Sequence, residues 1–178
     1  MLNVLKAAGK MSQKQEHFNQ PITLELRKTN LSFSAAHFLV GFGKCEHLHG
    51  HNYQLTVRVT SKLEINQDAL IDFTMLKEKI AKTISHLNHK ILLASQSPKI
   101  KIEHQNDHLI VKTKKKFYKF PESDVLLLPI TATTCEHLAY YLLEKLKAIL
   151  PDFAIEISIE ETIGSKAIIS GKKEMLTS

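Results

Sequence analysis

Two stretches of alternating residues on either side of a glycine-bearing loop constrain this chain more than any other feature. From Ile22 to Phe33 the sequence ITLELRKTNLSF alternates apolar and polar side chains, the pattern of a strand with one buried face. Residues 51–60, HNYQLTVRVT, alternate again through Tyr53, Leu55, Val57 and Val59 and are rich in β-branched types. Between them VGFGKCEH carries Gly41 and Gly43 as breakers. The two stretches therefore read as paired antiparallel strands joined by that loop.

Helical spacing appears next. Phe73, Leu76, Ile80 and Ile84 form an apolar stripe ending near His86, with Asp72 or Thr74 as the cap. A second helix is expected from the TATT run, capped by Thr133 or Thr134, with Glu136 in its first turn and Pro151 past its end. Its apolar face would carry Leu138, Tyr141, Leu142 and Leu146. FAIEISIEET then alternates as a third strand, and KAIIS reads as a short fourth. Between the helices two alternating halves flank Gln105-Asn106-Asp107 and predict a β-hairpin. Lys112, Lys114, Lys115, Lys116 and Lys119 make its second half basic. A solvated edge strand is the plain explanation, since lysines discourage edge pairing; contact with a polyanion or a neighbouring subunit is the functional one.

Composition bounds the rest. The 178 residues suit one domain, taken here as 21–178 with an insertion at about 95–128. Residues 1–20 lack the apolar core of a signal peptide and read as a removable basic extension. No apolar run approaches the ~20 residues of a membrane helix, so a cytoplasmic protein with no membrane partner is expected. The two cysteines, Cys45 and Cys135, are expected as free thiols. A net charge of +6, from 24 Lys+Arg against 18 Asp+Glu, favours anionic partners. No recognition motif accompanies the charge, which argues against nucleic acid.

The chemistry concentrates at His49-Gly50-His51. Residues i and i+2 of a strand share a face, so both imidazoles can reach one metal. His37 lies just after the preceding strand and can come across the pair as a third ligand. Three histidines with an open position are the pattern of catalytic zinc; a pair of exposed strand histidines with an unrelated third is the alternative on spacing alone. Cys45 lies four residues before His49, where cations would make it a base or nucleophile; a small buried residue is the alternative. His86 and His89 sit at the end of the first helix, where a capping role is the plain reading of both. Glu161, alone, would be a surface carboxylate.

Together the motifs FSAAHFL, KCEHLHGHNY, IDFTMLK, LNHKIL, TTCEHLA and EET, in that order from Phe33 to Thr162, resemble the 6-pyruvoyltetrahydropterin synthase / 6-carboxytetrahydropterin synthase family. The resemblance implies an α+β tunnelling fold, an antiparallel sheet with two helices on one face, here carrying an inserted β-hairpin. It implies Zn2+ on His37, His49 and His51, and Cys45 and His89 as catalytic residues. Glu161 would grip the pterin edge, and Thr134 would line its pocket. The substrate implied is 7,8-dihydroneopterin triphosphate, and the assembly a trimer or hexamer.

Two departures stand out. The family's Asp-His pair reads Asn88-His89, which exchanges a carboxylate for an amide beside the catalytic imidazole. A binding relative without catalysis is one consequence. The insertion is the other departure. Three residues between Cys45 and His49 resemble the bacterial carboxytetrahydropterin synthases of the queuosine pathway more than the pyruvoyl-forming enzymes.

Overall fold

The computed structural model describes residues 20–63 and 67–171, with backbone alone at 28–30. The reading of residues 1–19 as an extension lies outside the described residues. Strands β1 (Pro21–His37) and β2 (His49–Lys62) form the expected antiparallel pair. The alternation of β1 is broken once. Arg27 lies opposite Thr56 and Ser32 opposite Gln54, so β1 holds three surplus residues in a bulge. An odd surplus switches which side chains face inward. Leu24 and Leu26 face the core before the bulge; Phe33, Ala35 and His37 face it afterwards.

Seven shorter strands follow: β3 (Lys90–Ala94), β4 (Lys101–Gln105), β5 (His108–Lys112), β6 (Phe117–Pro121), β7 (Val125–Leu128), β8 (Ala154–Thr162) and β9 (Ser165–Gly171). The main sheet has the order β7-β3-β1-β2-β8-β9. β1, β2, β8 and β9 pair antiparallel as expected, whereas β3 joins β1, and β7 joins β3, in parallel.

Helix α1 (Phe73–Ser85) is capped by Asp72, whose carboxylate accepts the Met75 N–H at 2.9 Å. Helix α2 (Cys135–Ile149) has Thr134 as its N-cap residue, but the hydroxyl pairs with the His137 ring at 3.1 Å instead of a backbone N–H. Leu76, Ile80 and Ile84 of α1 and Leu138, Leu142 and Leu146 of α2 bury one face of the sheet, meeting Phe33, Tyr53, Leu55, Val57 and Ile157. Each such side chain contributes about 1.5–3 kcal/mol. Phe73 departs from the stripe: in the first turn of α1 it remains 47% exposed.

The hairpin around Asn106 forms as β4 and β5, with Asn106 in the left-handed region at φ 55°. The chain then turns again and returns as β6, giving a three-stranded sheet where two strands were expected. This sheet packs Val111 and Phe120 on Phe38 and Leu93, with Ile91, Val125 and Leu127 around them. β3 and β7 are consequently covered on both sides. Leu92, Ala94 and Leu128 face the helices, while Leu93 faces the second sheet. That explains the unbroken apolar runs KILLA and VLLL, which alternation does not reveal. No helix among the described residues is long and apolar enough to cross a membrane.

Candidate active site

The core-facing positions of three strands run on beyond the helices into a polar cluster. His37 ends β1 directly opposite His49, the first residue of β2, and His51 lies opposite Ala35. In β8, Ile155, Ile157 and Ile159 are buried, and Glu161 continues their parity. The four side chains meet: one ligand atom from each of His37, His49, His51 and Glu161 lies within 4.8 Å of every other. Imidazole centroids are 4.6 to 5.3 Å apart.

Two backbone carbonyls set the tautomers. A carbonyl oxygen only accepts, so the ring nitrogen facing it carries the proton. His37 Nδ1 donates to the Thr133 carbonyl at 2.9 Å, and His49 Nδ1 donates to the His47 carbonyl at 2.7 Å. Each ring is left with Nε2 as the atom free to face a cation, the arrangement that backbone carbonyls behind the ring give metal-binding histidines. His37 is fully buried, and burial holds its pKa below the ordinary histidine value, opposed by the Thr133 bond and by Glu161. Burial thus favours the uncharged ring, the form that can donate a lone pair to a metal.

The donor set also fits a cation by what is missing from its hydrogen bonding. His37 Nε2 and His51 Nε2 are buried without a hydrogen-bond partner among the described residues. His51 Nε2 lies only 2.8 Å from Glu161 Oε1, close enough for an ion pair but outside hydrogen-bond geometry. Buried polar atoms left unpaired cost free energy, and a cation among these donors removes that cost. Three imidazoles suit zinc and leave a position open beside them.

Beneath the cluster lies Tyr53, fully buried and stacked on Phe33 at 4.8 Å, its ring edge-on to His37 and His51. Its hydroxyl has no hydrogen-bond partner, and burial pushes its pKa up. Glu161 is held from behind, where the Cys135 thiol donates to Oε2 at 3.1 Å. Burial and this carboxylate push that thiol up to about 12, so it stays protonated. Sequence reasoning missed Cys135, Thr133 and Tyr53 as parts of the site. Cys135 and Thr133 lie in the TTCEHLA motif beside Thr134, and Tyr53 closes KCEHLHGHNY, but no spacing argument assigned any of the three a role in the site.

The remaining sequence candidates surround the cluster. His89 and His51 line one open groove together with Ser34, Gly50 and Asn52. His89 adopts φ 58°, the left-handed region, and its N–H donates to the Ser34 carbonyl at 2.7 Å. The Asn88 side-chain oxygen accepts the Ser34 N–H at 2.9 Å. Asn88 and His89 thus clasp both backbone groups of Ser34 and fix the turn from α1 into β3 on the rim of β1. The His86 ring pairs with the Tyr141 hydroxyl at 3.0 Å, tying the end of α1 to α2. Cys45 is half-buried in a short 3-10 turn, Gly43–Glu46, between the strand ends that carry His37 and His49, outside the four-residue cluster. Thr134, beside Thr133, caps α2. Cys45 and Cys135 are both free thiols.

Gly50 sits between two ligands, and a Cβ there would lie 3.2 Å from the Ala35 carbonyl oxygen. The close approach of β1 and β2 accounts for this glycine.

Comparison with known proteins agrees with this geometry. The family model described as 6-pyruvoyl tetrahydropterin synthase matches residues 25–172. A Methanocaldococcus jannaschii protein, provisionally named a 6-carboxy-5,6,7,8-tetrahydropterin synthase, is 32% identical over 77% of this chain and 88% of its own. The 6-carboxy-5,6,7,8-tetrahydropterin synthase of Haemophilus influenzae is 31% identical over 65% of this chain and 77% of its own. Among solved structures, 6-pyruvoyl tetrahydropterin synthase from Plasmodium vivax superposes with a TM-score of 0.80 at 29% identity, covering 86% of this chain and 99% of that one. The two helices on a sheet of this order are therefore the tunnelling arrangement, and the chain belongs to the 6-pyruvoyl tetrahydropterin synthase family of lyase-type pterin enzymes.

Proposed function

We propose that the protein is a zinc-dependent lyase converting 7,8-dihydroneopterin triphosphate to 6-carboxy-5,6,7,8-tetrahydropterin, on the path to 7-deazaguanine nucleosides such as queuosine. The observation that carries this reading is the convergence of the His37, His49 and His51 lone pairs, two of them fixed by backbone carbonyls. The names of the archaeal and Haemophilus relatives support the carboxy product.

Zinc held by His37, His49 and His51 supplies Lewis acidity toward substrate hydroxyl and carbonyl oxygens. The chain's own groups do the rest. Cys45, on the loop joining the ligand-bearing strand ends, removes a proton from the side chain of the substrate. His89, in the groove it shares with His51, returns it. Asn88 acts through the clasp on Ser34, holding the His89 backbone in its left-handed conformation. Glu161 accepts from the two-donor edge of the pterin, with Cys135 fixing its second oxygen. Thr134 lines the pterin pocket. The same reading takes the protein as a cytoplasmic trimer or hexamer of one catalytic domain beginning near residue 21.

A second reading has one observation in its favour, the close superposition on 6-pyruvoyl tetrahydropterin synthases. It would end in loss of triphosphate without cleavage of the side chain. Anaerobic incubation of zinc-loaded protein with 7,8-dihydroneopterin triphosphate, with products identified by mass spectrometry, separates the two. The expected products are 6-carboxytetrahydropterin, acetaldehyde and triphosphate, absent with Cys45→Ala. A 6-pyruvoyl product would replace the first reading by the second; pterin binding without turnover would overturn both.

A further inference from the structure

A pocket beside the metal-bearing loop gathers four lysines, Lys99, Lys114, Lys115 and Lys116, around Glu46 and Gly41. Lys114–Lys116 belong to the turn between β5 and β6. That turn is firmly built: the Thr113 hydroxyl accepts the N–H groups of Lys115 and Lys116 at 3.2 and 2.9 Å, and the Thr113 N–H donates to the Lys116 carbonyl at 2.9 Å. Two ammonium groups fasten the pocket together. Lys116 Nζ donates to the Glu46 carbonyl at 2.7 Å, and Lys99 Nζ donates to the Val40 carbonyl at 3.2 Å.

The charge in this pocket is uncompensated. Elsewhere on the second sheet, Lys101 and Lys112 both pair with Glu103, at 2.9 and 3.0 Å. The carboxylate of Glu46 accepts the Gly41 N–H at 2.7 Å and pairs with none of the four lysines. Lys114 and Lys115 make no ion pair among the described residues. They also sit on a turn, not along an edge strand, so protection of a sheet edge does not account for them. Phe38 and Val40 give the pocket an apolar wall, against which ammonium fields are screened less than in open water.

The place of the pocket matters as much as its charge. Phe38, Val40, Gly41 and Glu46 all lie on the loop whose ends are the ligands His37 and His49. Val40 is three residues from His37, so at most about 11 Å of chain separates them. A ligand anchored at the cluster can therefore extend an arm to the lysines.

We propose that this pocket binds a phosphate chain and, resting on the lyase reading above, that the chain is the triphosphate arm of the substrate. Rotatable ammonium point charges suit a flexible polyanion, and no planar arginine fork is present to prefer a carboxylate.

The test is calorimetric titration of the full-length protein with inorganic tripolyphosphate, in low and moderate salt. Lys114→Ala/Lys115→Ala is the test variant; both residues are exposed and their side chains make no described hydrogen bond, so the fold is retained. Lys77→Ala/Lys119→Ala removes the same charge elsewhere. Wild type and control should bind one equivalent, more weakly as salt rises, and the test variant about tenfold more weakly than either. With 7,8-dihydroneopterin triphosphate as substrate, the loss should appear as a comparable rise in KM. Equal tripolyphosphate binding by wild type and test variant overturns the proposal. Lysine-dependent binding of an RNA oligonucleotide more tightly than tripolyphosphate overturns it in favour of a nucleic-acid surface. Lysine-dependent tripolyphosphate binding that ATP competes away, with KM unchanged, upholds the phosphate pocket but overturns its assignment to the substrate. Absence of turnover by every variant would refute the lyase reading alone, because the titration does not depend on it.

Discussion

At the scale of single residues, Asn88 has the most instructive placement. Exchange of the family's aspartate for an amide would be expected to weaken an imidazole that needs a carboxylate partner. The side-chain oxygen instead accepts the Ser34 N–H, a bond that either residue type can make. Its neighbour His89 occupies a left-handed conformation, which costs a non-glycine residue roughly 1 kcal/mol. The prediction is that Asn88→Ala lowers stability by about 1 kcal/mol in urea melts and slows turnover, whereas Asn88→Asp keeps wild-type stability. An alanine variant with an unaltered melting curve would show that the clasp contributes nothing. The residues legible from sequence here were those whose spacing matters, His49 and His51 above all. Thr133 was not legible as a partner of His37, because a backbone carbonyl from 96 residues away leaves no mark on side-chain pattern.

At the scale of elements, β1 and β2 carry the site because their buried faces continue into it. Alternation located both strands, and the bulge between Arg27 and Ser32 shows in it as a change of parity, from Ile22, Leu24 and Leu26 to Leu31 and Phe33, that reading the stretch as one uniform strand passed over. The two parallel strands were missed for the opposite reason. Covered on both faces, β3 and β7 show no alternation, and a short apolar run is as compatible with a buried helix. Gly50→Ala tests the close pairing that brings His37 over His49: the added methyl would meet the Ala35 carbonyl at 3.2 Å. We expect a stability loss of about 1–3 kcal/mol and weaker zinc binding, read by competition with a chromogenic chelator. Unchanged metal affinity would mean that the strand spacing at this point is not critical. For the second sheet, Val111 is fully buried in the smaller core against Phe38, Leu93 and Phe120. Val111→Ala should cost about 1–3 kcal/mol; a cost near zero would mean that the sheet is peripheral to stability.

At the scale of the whole molecule, two cores share the strands β3 and β7, and the loop between His37 and His49 touches both systems. The main core positions His37, His49, His51 and Glu161 at the end of the sheet. The smaller one brings a lysine turn against the loop between His37 and His49. The sequence made the first arrangement visible through ordered motifs, and the second only as a hairpin with a basic second half, not placed against the loop. Its register depended on β6, which follows a turn held by Thr113 that alternation does not mark. Binding of zinc by the folded chain alone should raise the melting temperature, as any ligand specific to the native state does.

The central claim is that three imidazoles hold a catalytic zinc. Its most direct test is to strip the protein with a chelator and titrate zinc back, following bound metal and lyase turnover together. The account predicts no turnover in the stripped protein, recovery in proportion to zinc up to one equivalent per chain, and neither binding nor recovery at that level in His49→Ala. Full turnover by the stripped protein, or tight stoichiometric zinc binding and wild-type turnover by His49→Ala, would contradict it.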